Sequence, residues 1–500
     1  MHAEITSTGR RAFDAGAWAI GSRIVAKAID LVLLLCLARL VGPDQFGLVA
    51  IAMAVVFVVE ALFELPVAAT LIRVDALTPD RLHTAFTLGL LRGLVVAAML
   101  VLLAVPLAAF SEEPRLVALL AVLSLAPACR GMASPRLVEY NRAFDPRPDA
   151  AIELGGKAVA FAVALAVAAT THSYWSIAAA TVCGPLAGTV LSYIVAPLRP
   201  RLTLVEWREF SGVIGWNFVA QLCGALNWQV DRMVLPRVSG AIEFGQYAMS
   251  RQLAEIPVQA LITPLHKPAI AMLSAAPSRR AAAYLQLSRA GAFMLMPVWG
   301  VFIAWPEAVV TLALGERWLP AADWLRWNTA VLVLGIPAVF VSPLALALNE
   351  TRRLAMRNLA ELALRLPLVA AGAWFGGIAG AIAGAAIATT GASLIAMTIV
   401  RRLIGIPVVE QLGAVARTAL ATLPAVLWLL ALGRFGPALP STPELLVLVV
   451  PGVLVFFVLY LASAIGLWHL AGRPPGPEAQ AISKCRVAWA RLGPARTRAG

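Results

Sequence analysis

The chain has 500 residues, of which 60% are hydrophobic and only 13% are charged, and its net charge is +13. Soluble globular proteins contain about 25% charged residues, so this composition excludes an ordinary soluble fold. A helix of about 20 apolar residues is long enough to cross the hydrocarbon core of a bilayer. The composition therefore predicts an all-α polytopic membrane protein that acts within or across the membrane.

Apolar segments of helical length fill most of the chain and predict about 14 transmembrane helices. The loops between them are short and contain Gly, Pro, Asn and Asp, which is typical of turns between antiparallel neighbouring helices. The predicted spans are residues 13–40, 46–72, 84–109, 114–135, 150–170, 174–196, 209–235, 241–270, 285–314, 321–349, 353–375, 377–400, 412–433 and 442–470.

Arginine and lysine concentrate in alternate loops, as the positive-inside rule describes for cytoplasmic segments. The opposite loops carry few of them, namely Arg115, Arg237, Arg317 and Arg434. This distribution predicts that both termini lie in the cytoplasm, with an even number of spans between them. Because the basic residues follow the topology in this way, the net charge does not indicate a nucleic-acid partner.

The dipeptide Phe-Gly opens two of the predicted spans, as Phe46-Gly47 in the second and Phe244-Gly245 in the eighth. Together with a longer basic connection after the sixth span, this spacing predicts two six-helix lobes. Because six is even, we expect a pseudo-two-fold axis along the membrane normal. The predicted domains are a cytoplasmic N-terminus (1–12), an N-lobe (13–196), a cytoplasmic linker (197–208), a C-lobe (209–400), a C-terminal helix pair (412–470) and a basic cytoplasmic tail (471–500).

Ionisable side chains also occur inside the apolar segments. Each costs about 2.5–3.5 kcal/mol at a helix centre, so we expect it to face a cavity or a partner. In the first span, Arg23, Lys27 and Asp30 have the spacing of one helical face. Two interpretations remain open, a net positive stripe at a binding site or a snorkelling Arg23 beside a Lys27–Asp30 pair.

The seventh and eighth predicted spans are half polar and are not expected to face lipid. The eighth carries Arg251, Glu255 and Gln259 at four-residue spacing, and Pro257 and Pro264 are expected to bend it. A structural bridge between Arg251 and Glu255 is the alternative to a ligand-binding role. The seventh span carries Trp216, Asn217, Gln221, Asn227, Trp228 and Asp231.

Two further sets of embedded charges occur in the second and eleventh spans. Arg357, Glu361 and Arg365 share one face of the eleventh span and carry net positive charge. Glu60 and Glu64 in the second span have no evident partner in their own helix. Burial disfavours an ionised carboxyl group, so this pair is a candidate site for a coupling cation or proton. The alternative is that both carboxylates form ion pairs with an arginine across a helix interface, for which the candidates are Arg92 and Arg39.

The segment RLVGPDQFG from Arg39 to Gly47 resembles the ARxLGPxxFG signature of bacterial polysaccharide biosynthesis proteins. These are oligosaccharidyl-lipid flippases of the multidrug/oligosaccharidyl-lipid/polysaccharide exporter superfamily. The later segment FGQY from Phe244 to Tyr247 is similar to the same family's xxGxYxxA motif. The resemblance implies an inner-membrane flippase for undecaprenyl-pyrophosphate-linked oligosaccharide units, with a polysaccharide polymerase and glycosyltransferases as partners and a proton or sodium ion for coupling.

On this interpretation, cations bind the pyrophosphate, because arginine and lysine replace the water around phosphate oxygens. Amides and indoles contact the glycan, and carboxylates couple transport to a cation. The candidates are Arg23, Lys27, Arg251, Arg357 and Arg365 for the pyrophosphate; Asn217, Gln221, Asn227, Gln259, Trp216 and Trp228 for the glycan; and Asp30, Glu60, Glu64, Asp231 and Glu255 for ion coupling.

Several alternatives remain open at this point. A cation-coupled multidrug exporter and a peptidoglycan-precursor flippase belong to the same superfamily. A membrane glycan polymerase or acyltransferase would normally have a large outside loop or a catalytic histidine cluster, and the sequence has neither. Its Ser, Cys and His residues show no catalytic or metal-ligand spacing. The sequence therefore predicts no enzymatic activity, no metal and no cofactor.

Overall fold

The computed structural model describes residues 2–65, 67–74, 76–143, 145–211, 216–275, 277–435 and 442–472. The side chains of residues 2–17, 19, 20, 69, 73, 211, 217, 435 and 442–446 fall outside this description. The described residues form helices and connecting turns, with no strand. The predicted all-α class is therefore confirmed.

The α-helices follow one another with short connections, as the turn-forming loops predict. In chain order they are α1 (His2–Leu40), α2 (Pro43–Leu62), α3 (Val67–Arg73), α4 (Pro79–Ser111), α5 (Arg115–Leu123), α6 (Leu125–Gly131), α7 (Val138–Arg142), α8 (Arg147–Thr171), α9 (Trp175–Val195), α10 (Trp207–Ser211), α11 (Trp216–Val234), α12 (Ala241–Pro257), α13 (His266–Ala275), α14 (Arg280–Ala304), α15 (Pro306–Ala313), α16 (Ala321–Leu334), α17 (Val341–Ala347), α18 (Thr351–Ile404), α19 (Val408–Phe435) and α20 (Thr442–Leu470).

Within the described residues, 8 helices are long and apolar enough to cross a membrane, and 2 bent helix pairs raise this number to 10. The bends measure 51° and 44°. The breaks lie between Gly131 and Pro135 and between Leu334 and Ile336, and a proline (Pro135 or Pro337) stands at the start of the helix that follows each break. The tenth predicted span is therefore bent, and the fourth ends at its break. The multi-pass character of the chain is confirmed, whereas the total of 14 spans stays a prediction.

Helix α18 is a tight hairpin, because Gly376 and Gly377 leave the helical conformation in its middle. Gly377 has a φ of +57°, which favours glycine. The two arms pack closely, since a Cβ at Gly372 would lie 2.1 Å from the carbonyl oxygen of Gly380. The turn confirms the sequence-based division into spans at 353–375 and 377–400.

The chain divides into two compact units, the first of which comprises Met1–Met249, Ala313–Pro320 and Asn358–Ala385. In this unit α8 packs against α1 and α9, and α2 packs against α4, α5 and α11. Leu100 and Leu116 are fully buried within it. The sequence assigns α11 to the C-lobe, whereas the structure places it in this first unit. The predicted lobes and their symmetry axis stay predictions.

The two Phe-Gly motifs contact each other inside the first unit. A Cβ at Gly245 would lie only 1.8 Å from the carbonyl oxygen of Pro43, and one at Gly47 would lie 2.6 Å from that of Ala241. The ring of Phe46 also packs edge-on against Trp318, at 5.4 Å between centroids. Glycine is therefore required in both motifs because the backbones of α2 and α12 meet there.

The second unit comprises Ser250–Leu312, Ala321–Arg357 and Ala386–Gly500. Helix α14 packs against α16 and α19, and α19 packs against α20. The core is aromatic and aliphatic, with Trp299 and Phe340 both buried. The part of α12 that carries Arg251 and Glu255 belongs to this packed unit.

Candidate functional site

A buried ion pair links α11 and α18 in the first unit. Arg365 Nη2 lies 3.2 Å from Asp231 Oδ2 and 3.4 Å from Oδ1. The Arg365 side chain is 7% exposed and that of Asp231 is 2% exposed. The Tyr247 hydroxyl donates to Asp231 Oδ2 at 2.9 Å, and Glu361 lies 3.9 Å from Arg365 Nη1. The pair is thus embedded in a polar network, as a buried charge requires.

An asparagine clasp lies beside this pair. Asn227 Nδ2 donates to the carbonyl oxygen of Asn358 at 2.8 Å, and Asn358 Nδ2 donates to that of Ala220 at 2.8 Å. Asn227 Oδ1 is buried and has no hydrogen-bond partner among the described residues. The predicted glycan ligand Asn227 therefore joins α11 to α18 and keeps one acceptor atom available.

The other predicted glycan ligands of α11 lie on a different surface of the helix. Trp216, Gln221 and Trp228 are exposed, and the side chain of Asn217 lies outside the described residues. Trp228 follows Asn227 by one position, which corresponds to about 100° around a helix of 3.6 residues per turn. Asn227 and Asp231 therefore lie on the buried face of α11 and Trp228 on an exposed one. The glycan-binding role of these residues stays a prediction.

In the second unit, α12 contains a buried ion pair within one helix. Arg251 Nε donates to Glu255 Oε1 at 2.8 Å, and the two side chains are 7% and 2% exposed. Nearby, Trp299 Nε1 donates to the carbonyl oxygen of Ala254 at 3.0 Å. The geometry corresponds to the structural bridge that the sequence left open as an alternative.

The α-helical geometry changes after this bridge, where the sequence predicts a bend. The regular helix ends at Pro257 and continues as a π-helical turn over Val258–Ile262. Gln259 lies in this turn and is partly buried. Because the π turn shifts the hydrogen-bond register, Gln259 is not a simple continuation of the face that carries Arg251 and Glu255.

The charges of α1 are more accessible than these pairs. Lys27 Nζ lies 3.6 Å from Asp30 Oδ2, and the lysine side chain is 54% exposed. Lys157 of α8 also donates to Asp30, so two lysines flank a single carboxylate. Arg23 is exposed on the same helix. The charge balance of this group, which we call the lysine cluster (Lys27, Asp30 and Lys157), remains positive.

The predicted helical position holds for Glu60 and is wrong for Glu64. Helix α2 ends at Leu62 rather than near residue 72, so Glu64 lies in the following connection and is exposed. The sequence has a proline at position 66, and the residue before a proline is disfavoured in a helix. Glu60 remains on the helix, but it forms an ion pair with Arg130 of α6.

The suggested partners of these carboxylates also need correction. Arg92 does not contact the Glu60 carboxylate through any of its described hydrogen bonds. Its Nε donates to the carbonyl oxygen of Phe63 at 2.8 Å and its Nη2 to that of Glu60 at 3.4 Å. Arg92 therefore binds carbonyl groups at the C-terminal end of α2, where helices leave acceptors without helical donors.

The structure thus brings some of the predicted site residues into contact and leaves others apart. Asp231 meets Arg365, and Arg251 meets Glu255, whereas Arg357 is a partly buried residue of the second unit. Sequence reasoning missed Tyr247, Asn358 and Lys157 as partners. Tyr247 belongs to the FGQY motif, and this motif is the one sequence feature that indicated a role for it.

The many long apolar helices define a multi-pass membrane protein. The chain superposes on the lipid II flippase MurJ in an inward closed conformation with a TM-score of 0.69 and 12% identity, over 90% of this chain and 98% of MurJ. An inward-facing multidrug resistance MATE family transporter of the MOP superfamily gives a TM-score of 0.61 and 13% identity, over 76% and 94% of the two chains. These similarities establish the fold.

The chain belongs to the family described as "Polysaccharide biosynthesis protein", which matches residues 36–323 and therefore more than half of its length. It is 23% identical over 310 residues to the succinoglycan biosynthesis transport protein ExoT of Rhizobium meliloti strain 1021. It is 21% identical over 346 residues to the lipopolysaccharide biosynthesis protein WzxC of Escherichia coli K12. The matches cover 60% and 64% of this chain, and the chain spans 62% and 65% of the two relatives. The family resemblance deduced from the RLVGPDQFG segment is confirmed.

Proposed function

We propose that this protein is a flippase that moves undecaprenyl-pyrophosphate-linked oligosaccharide units from the cytoplasmic to the periplasmic leaflet of a bacterial inner membrane. Membership in the polysaccharide biosynthesis family supports the class of substrate. The observation that carries the proposal is the lysine cluster, in which the described ion pairs of Lys27 and Lys157 share one carboxylate, that of Asp30. A pyrophosphate leaves water only where cations replace its hydration, so a surplus of positive charge on membrane helices suits this substrate.

The burial of the other cations divides the candidate ligands into two groups. Arg251 and Arg365 each contact a buried carboxylate, and in this proposal they hold the helices around the substrate path. Arg23, Lys27 and Arg357 are the proposed ligands of the pyrophosphate. On the buried face of α11 the free acceptor of Asn227 is the proposed ligand of sugar hydroxyls, and on its exposed surface Gln221 binds hydroxyls while Trp216 and Trp228 stack on sugar faces. Gln259 is a separate candidate in the second unit.

Transport follows alternating access, with two lobes that rock around the substrate and open to one side at a time. Both termini are cytoplasmic in this proposal. Asp30, Asp231 and Glu255 are the proposed sites of coupling to a proton or sodium ion, because carboxylates change charge when they bind either cation. Glycosyltransferases supply the substrate and a polysaccharide polymerase consumes it, so the flippase itself catalyses no covalent step.

The test is complementation of a strain that lacks this protein, with surface polysaccharide as the measurement. Lys27→Ala is expected to lower display about tenfold or more, because one charge-assisted contact to the head group is lost. Lys27→Arg is expected to retain part of the display, since the charge persists. Arg434→Ala, at the exposed far end of α19, is the matched control and is expected to behave as the wild type.

Membrane abundance of each variant separates loss of function from loss of protein. Full display by the double variant Lys27→Ala and Arg357→Ala would overturn the assignment of these cations to the pyrophosphate. Phosphatase activity from a periplasmic reporter fused after residue 472 would overturn the proposed topology.

A further inference from the structure

Three helices of the second unit line an open cavity that the transport proposal does not use. It has a volume of about 490 Å³ and lies among α14, α19 and α20. Two arginines line it, Arg289 from α14 and Arg417 from α19. The remaining described residues of its wall are apolar or glycine and include Leu420, Leu467 and Leu470. No carboxylate belongs to the described wall, so the cavity combines positive charge with a hydrocarbon surface.

The position of this cavity along the helices indicates the depth at which it lies. The apolar part of α20, Val447–Leu470, has 24 residues and is apolar enough to cross a membrane. At about 1.5 Å per residue it is long enough to cross the hydrocarbon core, so its end at Leu470 lies at the membrane–water boundary. Arg289 and Arg417 meet the α20 wall at this end. They are therefore at the depth where lipid phosphates lie.

The positions of the two arginines along α14 and α19 are consistent with this depth. Arg289 and Arg417 each lie nine residues after the first residue of their helix, which corresponds to about 14 Å. Both helices therefore continue beyond the end of α20 toward the head-group region. The arginines are held at the transition from apolar to polar surroundings, where long cationic side chains are favourable.

Helices α20 and α14, which both contribute to the cavity wall, are joined by a contact outside the wall. The Tyr460 hydroxyl donates to the carbonyl oxygen of Phe293 at 2.9 Å, and the two rings lie 5.5 Å apart. Phe293 follows Arg289 by one helical turn. A Cβ at Gly413, on the cavity wall, would meet no atom within 4 Å. Two of the three helices that line the cavity are thus held together, and Gly413 leaves open space on its wall.

We infer that this cavity binds the phosphate of an anionic glycerophospholipid from the surrounding bilayer. The guanidinium groups of Arg289 and Arg417 bind the phosphate oxygens, for which arginine has the appropriate fork geometry. One acyl chain lies against Leu420, which is 55% exposed, and against the leucines at the end of α20. An apolar wall of this kind suits a lipid rather than a free phosphate ion. The inference does not depend on the proposed transport substrate.

The experiment is native mass spectrometry of the delipidated full-length protein, titrated with phosphatidylglycerol and, separately, with phosphatidylcholine. The wild type is expected to bind one phosphatidylglycerol in preference to phosphatidylcholine. The double variant Arg289→Gln and Arg417→Gln is expected to bind it about tenfold more weakly, because two cations near the phosphate are lost. Arg401→Gln with Arg402→Gln is the matched control, since it removes two exposed charges close to the start of α19 but outside the cavity.

Gly413→Leu provides a second test in which the charge does not change. The leucine side chain fills the open space, so it is expected to weaken phosphatidylglycerol binding to a similar extent while melting in phosphatidylcholine nanodiscs stays near the wild-type temperature. Equal losses in the cavity variant and in the Arg401/Arg402 control would overturn the site in favour of general surface charge. Displacement of the lipid by millimolar inorganic phosphate would overturn the assignment to a lipid.

Discussion

Two charged helix faces with similar spacing have opposite environments in this protein. On α1, Lys27 and Asp30 lie three residues apart, and the lysine side chain is 54% exposed. On α18, Glu361 and Arg365 lie four residues apart, and the arginine side chain is 7% exposed. Spacing along a helix determines which side chains share a face, but the neighbouring helices determine whether that face is buried.

This difference has an energetic consequence. Exposed ion pairs contribute little to stability, because water and salt screen them. A buried charge that loses its partner is strongly destabilising, since it keeps its desolvation cost without compensation. We therefore expect substitutions on α18 to act mainly on folding and those on α1 to act mainly on ligand binding.

The largest effect is expected for Arg365→Ala. The substitution leaves Asp231 buried without its cation and should lower the free energy of unfolding by about 3–5 kcal/mol. Thermal unfolding of the purified protein in detergent, together with its abundance in membranes, measures this change. The double variant Arg365→Met and Asp231→Leu should recover much of the loss, because both charges are removed. Normal melting of Arg365→Ala alone would contradict the burial on which the comparison depends.

The next effect concerns packing rather than charge and tests how closely the helices of the first unit approach. Gly245→Ala places a methyl group 1.8 Å from the carbonyl oxygen of Pro43, so α2 and α12 must separate. We expect a loss of about 1–3 kcal/mol, as found for overpacked sites. Gly240→Ala is the matched control, because a Cβ there meets no atom within 4 Å. Equal melting temperatures for the two variants would refute the close approach.

Local patterns predicted much of this structure. The α18 hairpin follows from two adjacent glycines between apolar segments, and the Arg251–Glu255 bridge follows from four-residue spacing in one helix. The partners that sequence reasoning missed are distant along the chain. Asp231 and Arg365 are 134 positions apart, and Asp30 and Lys157 are 127 positions apart. Only tertiary packing determines which of several charged faces meet, so spacing within a helix contains no information on these pairs.

The contact between the two Phe-Gly motifs illustrates the same limit. The sequence identified Phe46-Gly47 and Phe244-Gly245 as similar openings of two spans, and it interpreted them as marks of a repeat. The structure shows that the backbones at Gly47 and Gly245 touch, which explains why a side chain is excluded at both positions. A local motif can therefore report a tertiary contact, but its partner becomes identifiable only once the packing is known.

The smallest effect is expected for Asp30→Asn, and the same substitution at Asp231 tests the difference between the accessible and the buried ion pair directly. Asp30→Asn should change the free energy of unfolding by less than about 1 kcal/mol, because the Asp30 side chain is 40% exposed and its pairs with Lys27 and Lys157 are not fully buried. Asp231→Asn should cost several times more, since it removes the buried counter-charge of Arg365 although the amide can still accept from Tyr247. Melting curves of both variants in the same detergent provide the measurement. If Asp30→Asn were as destabilising as Asp231→Asn, the lysine cluster would be a structural ion pair rather than an accessible surplus of positive charge. In that case the proposed pyrophosphate role of Lys27 would lose its structural support, and the substrate assignment would depend on family membership alone.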